Sequence, residues 1–183
     1  MPRLEQIREQ LDVIRAQLGD DDAFVRLAER YHPRLLHYVR RLVRNHGTAD
    51  DVLQETWVAA YRGLRRLDDP ERLRTWLYGI TRNQARNALR REERARLDYV
   101  EDEVLEAIPD EADEALELRA DQAAQVHRGL DRISAARAEV LILCYVDGLS
   151  YEEIGEITGT KLGTVRSRVH YAKRALRLSL IHI

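Results

Sequence analysis

The stretch LSYEEIGEITGTKLGTVRSRVHYAKRAL, which runs from Leu149 to Leu176, decides the fold of this chain. Ser150 is followed three residues later by Glu153, and this capping-box pattern predicts a helix that begins at Tyr151. Gly159 is a natural end for that helix, because glycine adopts the left-handed backbone conformation without steric cost. The stretch therefore predicts a short helix, a tight turn and a second helix.

The second helix is predicted to begin near Gly163 or Thr164, with an apolar side and a basic side. Its apolar residues fall at i, i+4, i+7 and i+11 and so share one stripe: Val165, Val169, Ala172 and Leu176. Its other faces carry side chains that suit base edges and phosphates, namely Thr164, Arg166, Ser167, Arg168, His170, Tyr171, Lys173 and Arg174. This pattern is typical of a helix-turn-helix whose second helix enters the DNA major groove. The alternative is an amphipathic helix pair of any all-α domain, with the arginines in solvent.

The composition favours a helical protein without disulfides. Charged residues make up 34% of the 183 residues and hydrophobic ones 44%, while glycine and proline number only 9 and 4. The single cysteine, Cys144, lies in the apolar run VLILCYV and is predicted to be a small core residue. No segment has the length and apolarity of a membrane span, and the N-terminus does not resemble a signal peptide. We therefore expect a cytoplasmic protein.

The formal net charge of −2 hides a strong segregation of charge. The segment from Arg72 to Arg91 holds six arginines and no acid, whereas Asp98 to Asp121 holds eleven acids and one arginine. The charges of basic faces and of an acidic connector cancel in the net charge of the chain. A nearly neutral net charge is therefore compatible with a protein that binds a polyanion.

The first helix is predicted from apolar residues spaced alternately by three and four positions: Leu4, Ile7, Leu11, Ile14 and Leu18. This heptad seam covers about two heptads, which is short for an independent coiled coil. It could belong to a helix that packs on the next domain, or to a docking helix for a partner or a second copy.

Two further helices precede the next polar cluster. Three aspartates at 20–22 are predicted to open a helix, because negative charge is favourable at a helix N-terminus, and Pro33 to kink it or start a new one. Thr48 with Asp51 resembles a capping box for a helix from Ala49 to Leu64. That helix carries a mostly acidic edge, which could also be simply solvated, at Asp50, Asp51, Gln54 and Glu55.

A long helix is predicted from Glu71 to about Arg96. It mixes aromatic, amide and guanidinium side chains, namely Trp76, Tyr78, Arg82, Asn83, Arg86, Asn87, Arg90 and Arg91. Aromatic rings stack on unpaired bases and arginines hold the backbone, so this surface suits single-stranded or partly melted nucleic acid. The alternative is that Trp76 and Tyr78 are core residues and the arginines are solvated.

Three separated motifs in this order resemble a bacterial extracytoplasmic-function sigma factor. They are ADDVLQETWVAAYRGL, LRTWLYGITRNQARNALRR and, after an acidic linker, GLSYEEIGEITGTKLGTVRSRVHYAKRAL. The resemblance extends from about Asp22 to Arg177 and implies an all-α protein of two small helical domains. Residues 20–96 would be sigma region two, 97–121 the linker and 122–177 region four, with 1–19 an extra helix. The apolar tail 178–183, LSLIHI, is interpreted as non-native.

The resemblance also implies partners and site residues. The edge at Asp50, Asp51, Gln54 and Glu55 is similar to the surface that docks on the β′ clamp helices of core RNA polymerase, and region four would meet the β flap. The Trp76 to Arg91 segment is similar to the one that opens and holds the upstream-ten promoter element. The face from Thr164 to Arg174 would read the upstream-thirty-five element. An anti-sigma factor is an expected partner.

Two residues depart from the pattern of that family. Tyr171 stands where arginine is frequent, so a phosphate or guanine contact is expected to be lost. Gly155 stands where alanine is usual, which should weaken its helix by up to about 1 kcal/mol. The acidic linker would thread the polymerase channels in the family, although it could equally be a flexible tether.

The sequence predicts no catalytic residue, metal site or cofactor, because nothing resembles a P-loop, a metal cluster or a nucleophile with its base. Two other functions remain open. One is a helix-turn-helix regulator that dimerises through Leu4 to Leu18, and the other is a protein that only sequesters another factor.

Overall fold

The computed structural model describes residues 3–43, 46–98, 130 and 132–181, and the regular structure in these residues is helical. The all-α prediction is confirmed. The helices are α1 (Arg3–Gln17), α2 (Asp21–Leu42), α3 (His46–Gly63), α4 (Leu73–Asp98), α5 (Ala135–Leu141), α6 (Tyr151–Thr158) and α7 (Leu162–Ile181). Two 3₁₀ turns, Leu64–Arg66 and Pro70–Arg72, connect α3 to α4, and a π-helical turn, Ile142–Val146, follows α5. Most of the predicted linker lies outside the described residues, while α7 continues into the predicted tail as far as Ile181.

Helices α1 to α4 form an N-terminal bundle. The Asp20 carboxylate caps α2 by accepting a hydrogen bond of 3.0 Å from the Ala23 amide, which confirms the predicted start of this helix. Pro33 lies inside α2 without ending it. Large side chains from three helices fill the core, and those that are 2% exposed or less include Leu27, Tyr31, Leu35, Tyr38, Leu53, Leu73 and Leu77.

The predicted capping box at Thr48 and Asp51 is wrong. Helix α3 begins at His46, three residues before the predicted start at Ala49. The Thr48 hydroxyl instead donates a hydrogen bond of 2.6 Å to Glu92 on α4. Because Thr48 is inside the helix, its side chain ties α3 to α4 rather than capping its own first turn.

Helices α5 to α7 form a C-terminal bundle that contains the predicted helix-turn-helix. In the capping box of α6, the Glu153 amide donates to the Ser150 hydroxyl at 3.2 Å and the Ser150 amide donates to the Glu153 carboxylate at 2.7 Å. Gly159 ends the helix with a φ of 65°. The stripe of α7 faces inward as predicted, with Val165 and Ala172 fully buried.

The two bundles pack directly on each other. Helix α4 of the N-terminal bundle lies along α6 of the C-terminal bundle, and α2 also touches α5. Buried apolar residues of both bundles join in one cluster. The long arginine-rich helix therefore lies at the boundary between the bundles.

Candidate nucleic-acid interface

Helix α7 presents its predicted reading face to solvent. All of the predicted residues on this face are exposed except Arg168, which is half-buried. The Ser167 hydroxyl donates to the Thr164 carbonyl at 3.0 Å, and the Lys173 ammonium lies 4.6 Å from the centre of the Tyr145 ring. Arg166 is exposed on this face, so its guanidinium is free to meet a base edge in a groove.

Gly155 has a packing reason that the sequence does not reveal. A Cβ at this position would lie 2.9 Å from the Thr160 carbonyl oxygen and 3.8 Å from a methyl group of Val165. The turn between α6 and α7 brings this carbonyl close, because the Thr160 amide donates back to the Gly155 carbonyl at 2.9 Å. The expectation that this glycine merely weakens the helix is therefore incomplete.

Gly155→Ala is expected to lower the free energy of unfolding by about 1 kcal/mol. Overpacking costs about 1–3 kcal/mol, and the better helix propensity of alanine returns about 1 kcal/mol of that. Gly163→Ala is the matched control, because its Cβ would meet nothing within 4 Å. Urea unfolding of the two variants measures the difference, and a more stable Gly155→Ala protein would contradict the packing argument.

Helix α4 exposes only part of its predicted nucleic-acid face. Asn83, Arg86, Asn87 and Arg90 are exposed, and Trp76 is half-buried. The prediction is wrong for Tyr78 in this arrangement, because its side chain is fully buried and its ring lies 5.2 Å from that of Tyr38. Aromatic character alone does not distinguish a stacking ring from a core ring.

Arg82 is engaged by the C-terminal bundle instead of facing solvent. Its Nε donates to Glu139 on α5 at 2.7 Å and its Nη2 at 3.3 Å. The Tyr38 hydroxyl donates to the same carboxylate at 2.9 Å. The side chains of Arg82 and Glu139 are only 14% and 7% exposed. Burial lowers the pKa of Arg82, but the hydrogen bond and charge of Glu139 outweigh it and raise that pKa.

Glu153 has a second role beyond the capping box. Its two carboxylate oxygens each accept a hydrogen bond of 3.1 Å from Arg74 on α4, and Thr75 donates to one of them at 3.0 Å. Burial raises the pKa of Glu153, but the bonds from Ser150 and Arg74 outweigh it and lower that pKa. The residue that starts α6 therefore also joins α6 to α4.

Two further acids of the C-terminal bundle approach the N-terminal bundle. Glu156 accepts a hydrogen bond of 2.6 Å from Arg72 at an exposed site. Asp147 is half-buried, and one of its oxygens and the Tyr78 hydroxyl are buried without a hydrogen-bond partner in the described structure. Burial raises the pKa of Asp147 to about 6. The neighbouring Tyr78, Arg34 and Arg74 act in the opposite direction and lower this pKa, but burial outweighs them. Burial therefore disfavours the ionised form of Asp147, whereas its neighbours on the N-terminal bundle favour it.

A cleft of about 440 Å³ opens beside this boundary. Trp76, Gly79 and Asn83 of α4 line one side, and Glu156 and Ile157 of α6 line the other. The cleft combines an indole face and an amide group, which are the groups that hold an unstacked base. Trp76 and Asn83 are thus the α4 residues in this cleft that could hold a single base.

The acidic edge of α3 is mostly available to a partner. Asp50, Asp51 and Gln54 are exposed. Glu55 instead accepts hydrogen bonds of 3.0 and 3.1 Å from Arg91 on α4. Glu55 of the predicted polymerase-binding edge is therefore paired with Arg91 of the predicted nucleic-acid face.

No sequence pattern predicted the acids that contact α4, above all Glu139. Its position on α5 gave no signal, because its partners lie 57 and 101 residues earlier in the chain. Within the described ranges, no three histidine, cysteine, aspartate or glutamate side chains gather as metal ligands. None of the helices described has the length and apolar composition to cross a membrane.

Comparisons with known families and relatives agree with this two-bundle architecture. The Sigma-70 region 2 family matches residues 27–95, and the Sigma-70, region 4 family matches residues 123–176. The chain is 36% identical over 180 residues to the ECF RNA polymerase sigma-E factor of Escherichia coli K12, with 94% of each protein covered. It is 32% identical over 152 residues to the ECF RNA polymerase sigma factor SigE of Mycolicibacterium smegmatis. That match covers 82% of the chain and 59% of SigE.

Two solved structures have a similar fold. The structure of RpoE in complex with the anti-sigma factor NepR from Bartonella quintana gives a TM-score of 0.72 at 26% identity, covering 86% of this chain and 96% of that one. The structure of CnrH in complex with the cytosolic domain of CnrY gives 0.69, also at 26% identity, covering 96% and 98%.

Proposed function

Since the chain belongs to the extracytoplasmic-function sigma factors, we propose that its exposed α7 face and its α4 face read the two elements of a promoter. The protein acts with core RNA polymerase and directs it to start transcription. The observation that carries the assignment of α7 is the helix-turn-helix itself. Its stripe is buried, its capping box is formed, and its basic side is exposed.

In this proposal α4 holds the melted strand, and Trp76 and Asn83, which line the α4 side of the cleft, take one unstacked base. The exposed residues Arg86, Asn87 and Arg90 continue the same face and suit the phosphate backbone. Arg82 and Arg74 join this surface only when the C-terminal bundle moves away, because Glu139 and Glu153 occupy them in the arrangement described. The arrangement described is therefore not the one that holds DNA along the whole of α4.

The edge at Asp50, Asp51 and Gln54 is the proposed docking site for a basic helix of the polymerase. Three exposed acceptor groups on one side of a helix are complementary to such a partner. The family resemblance also predicts that the C-terminal bundle contacts the polymerase β flap, and we retain this contact as a prediction.

The protein has no catalytic step of its own in this proposal, because sigma factors are specificity subunits of the polymerase. Its place of action is the cytoplasm, where the polymerase works. An anti-sigma factor is a further proposed partner, supported by the similar RpoE structure, which contains the anti-sigma factor NepR.

Transcription in vitro tests the proposal. The purified full chain is mixed with bacterial core RNA polymerase and a library of promoter fragments, and the transcripts are sequenced. We expect specific starts that share a pair of upstream motifs. Absence of starts, with duplex DNA retained by the protein alone, would support the dimeric regulator. Absence of both would support a sequestering protein.

Arg166→Ala refines this test, because an arginine on a base edge contributes about 1–3 kcal/mol of discrimination. Preference should relax at one position of the upstream motif in the transcript library. Arg137→Ala removes the same charge from an exposed site on α5 and serves as the control. Equal weakening at all sequences would assign Arg166 to phosphates instead of bases.

A further inference from the structure

The outward face of α1 is an apolar stripe that the proposed function does not use. It consists of Leu4, Ile7, Leu11 and Ile14 on α1 and of Leu18 in the turn that follows the helix, which are 72%, 43%, 48%, 44% and 83% exposed. These are the residues of the predicted heptad seam. The helix does pack on the next domain, as one interpretation expected, but it does so with its opposite face.

That opposite face holds α1 firmly on α2. Val13 is fully buried, Asp12 accepts from Arg26 at 2.8 Å and Glu9 accepts from Arg30 at 3.1 Å. A rotation of α1 that buried the stripe would break both ion pairs and expose Val13. The α1 stripe therefore stays outward in the folded protein.

The edges of the stripe differ in charge. One edge of the stripe contacts other residues of the same protein. There the Gln10 side chain donates a hydrogen bond to Glu71, and the Gln17 side chain donates to the carbonyls of Leu64 and Leu67. On the other edge Arg8 and Arg15 are exposed, and within the described residues neither has an ion-pair partner. The open edge of the α1 stripe is therefore positively charged.

The spacing and the charge together define the occupant. Alternating steps of three and four match the knobs of a partner helix. A second copy supplies no acid to this edge, because antiparallel pairing would place Arg8 and Arg15 against the same residues of the copy, and parallel pairing would place Arg15 against the uncharged Gln10. Like charges across a helix pair are unfavourable.

We propose that the α1 stripe docks an amphipathic helix of another protein, with acidic side chains along the edge that meets Arg8 and Arg15. The stripe covers about two heptads, so the contact is a short one that adds to other contacts of the same partner. None of its residues belongs to α3, α4 or α7, so the contact does not depend on the proposed roles of those helices.

Designed helical peptides test this proposal. One labelled three-heptad peptide carries isoleucine at a, leucine at d and glutamate at e and g, and the other carries lysine at e and g. Fluorescence anisotropy with the full chain at low salt should show about tenfold tighter binding of the glutamate peptide, since two ion pairs replace two repulsive contacts. Arg8→Glu with Arg15→Glu should reverse this preference.

Leu11→Gln with Ile14→Gln should abolish the binding of both peptides while leaving the melting temperature unchanged, because both side chains are exposed. Light scattering and flotation with phosphatidylglycerol vesicles accompany the titration. Equal affinity for the two peptides, or binding that survives the glutamine variant, would overturn the proposal. A dimer that the glutamine variant dissociates would assign the stripe to a second copy, and vesicle binding lost in that variant would assign it to a membrane.

Discussion

Glu139→Ala is expected to separate the two helical bundles. The variant leaves the Arg82 guanidinium, which is only 14% exposed, without its carboxylate. Removing one partner of a buried ion pair costs about 3–5 kcal/mol. The chain can avoid that cost by moving α5 away from α4, which returns Arg82 to water. The Tyr38 hydroxyl, which donates to the same carboxylate, favours the same movement.

Small-angle X-ray scattering measures this opening. A compact chain of this length has a radius of gyration of about 16 Å, and separation of the bundles should raise the observed value by several ångströms. The free variant should also bind single-stranded promoter DNA more tightly, because Arg82 and Arg74 become available.

The control for this experiment is Glu152→Ala, which removes an equal charge from an exposed site on α6. It should change neither the radius nor the DNA affinity beyond the small effect of net charge. An unchanged radius in a folded Glu139→Ala protein would show that the apolar contacts alone hold the bundles together.

Asp51→Lys is expected to weaken binding to core RNA polymerase by about a hundredfold or more. If α3 docks on a basic helix, the change converts an attraction into a like-charge contact, which costs several kcal/mol. Asp51 is the best position for this test because it is exposed. Glu55 is a less suitable position, since its replacement would also release Arg91.

The loss of affinity is measured by titrating the labelled full chain with core polymerase and recording the fluorescence anisotropy of the label. Glu29→Lys, at an exposed site on α2, makes the same charge change away from α3 and is the matched control. Circular dichroism should show both variants folded. Undiminished binding of Asp51→Lys would remove the acidic edge from the polymerase contact.

The features that could be predicted from the sequence are those set within a few residues. The Ser150–Glu153 capping box, the stop at Gly159 and the inward stripe of α7 depend on local spacing, and the structure contains all three. The contacts that cross between the bundles depend on how the helices pack. The second role of Glu153 and the pairing of Arg82 with Glu139 therefore have no local signal.

The environments of Tyr78 and Gly155 also depend on packing that the local sequence does not reveal. At Tyr78 the helical pattern placed an aromatic ring on α4, but only packing against Tyr38 decides that it faces inward. At Gly155 the local propensity favours alanine, while a carbonyl five residues later occupies the space of its Cβ. For α1 the apolar pattern predicted the helix correctly, but the burial of Val13 and the ion pairs of Asp12 and Glu9 determine which face is outward.

The position of Trp76 in the cleft makes its intrinsic fluorescence a probe of the contact between the two bundles. Its indole lies at the boundary with Glu156 and Ile157, whereas Trp57 packs within the N-terminal bundle against Phe24 and His32. Departure of the C-terminal bundle would bring water to Trp76 and shift its emission to longer wavelength, while Trp57 would keep its surroundings. A Trp57→Phe background would therefore give a single fluorescence signal that follows domain separation in real time, without any attached dye.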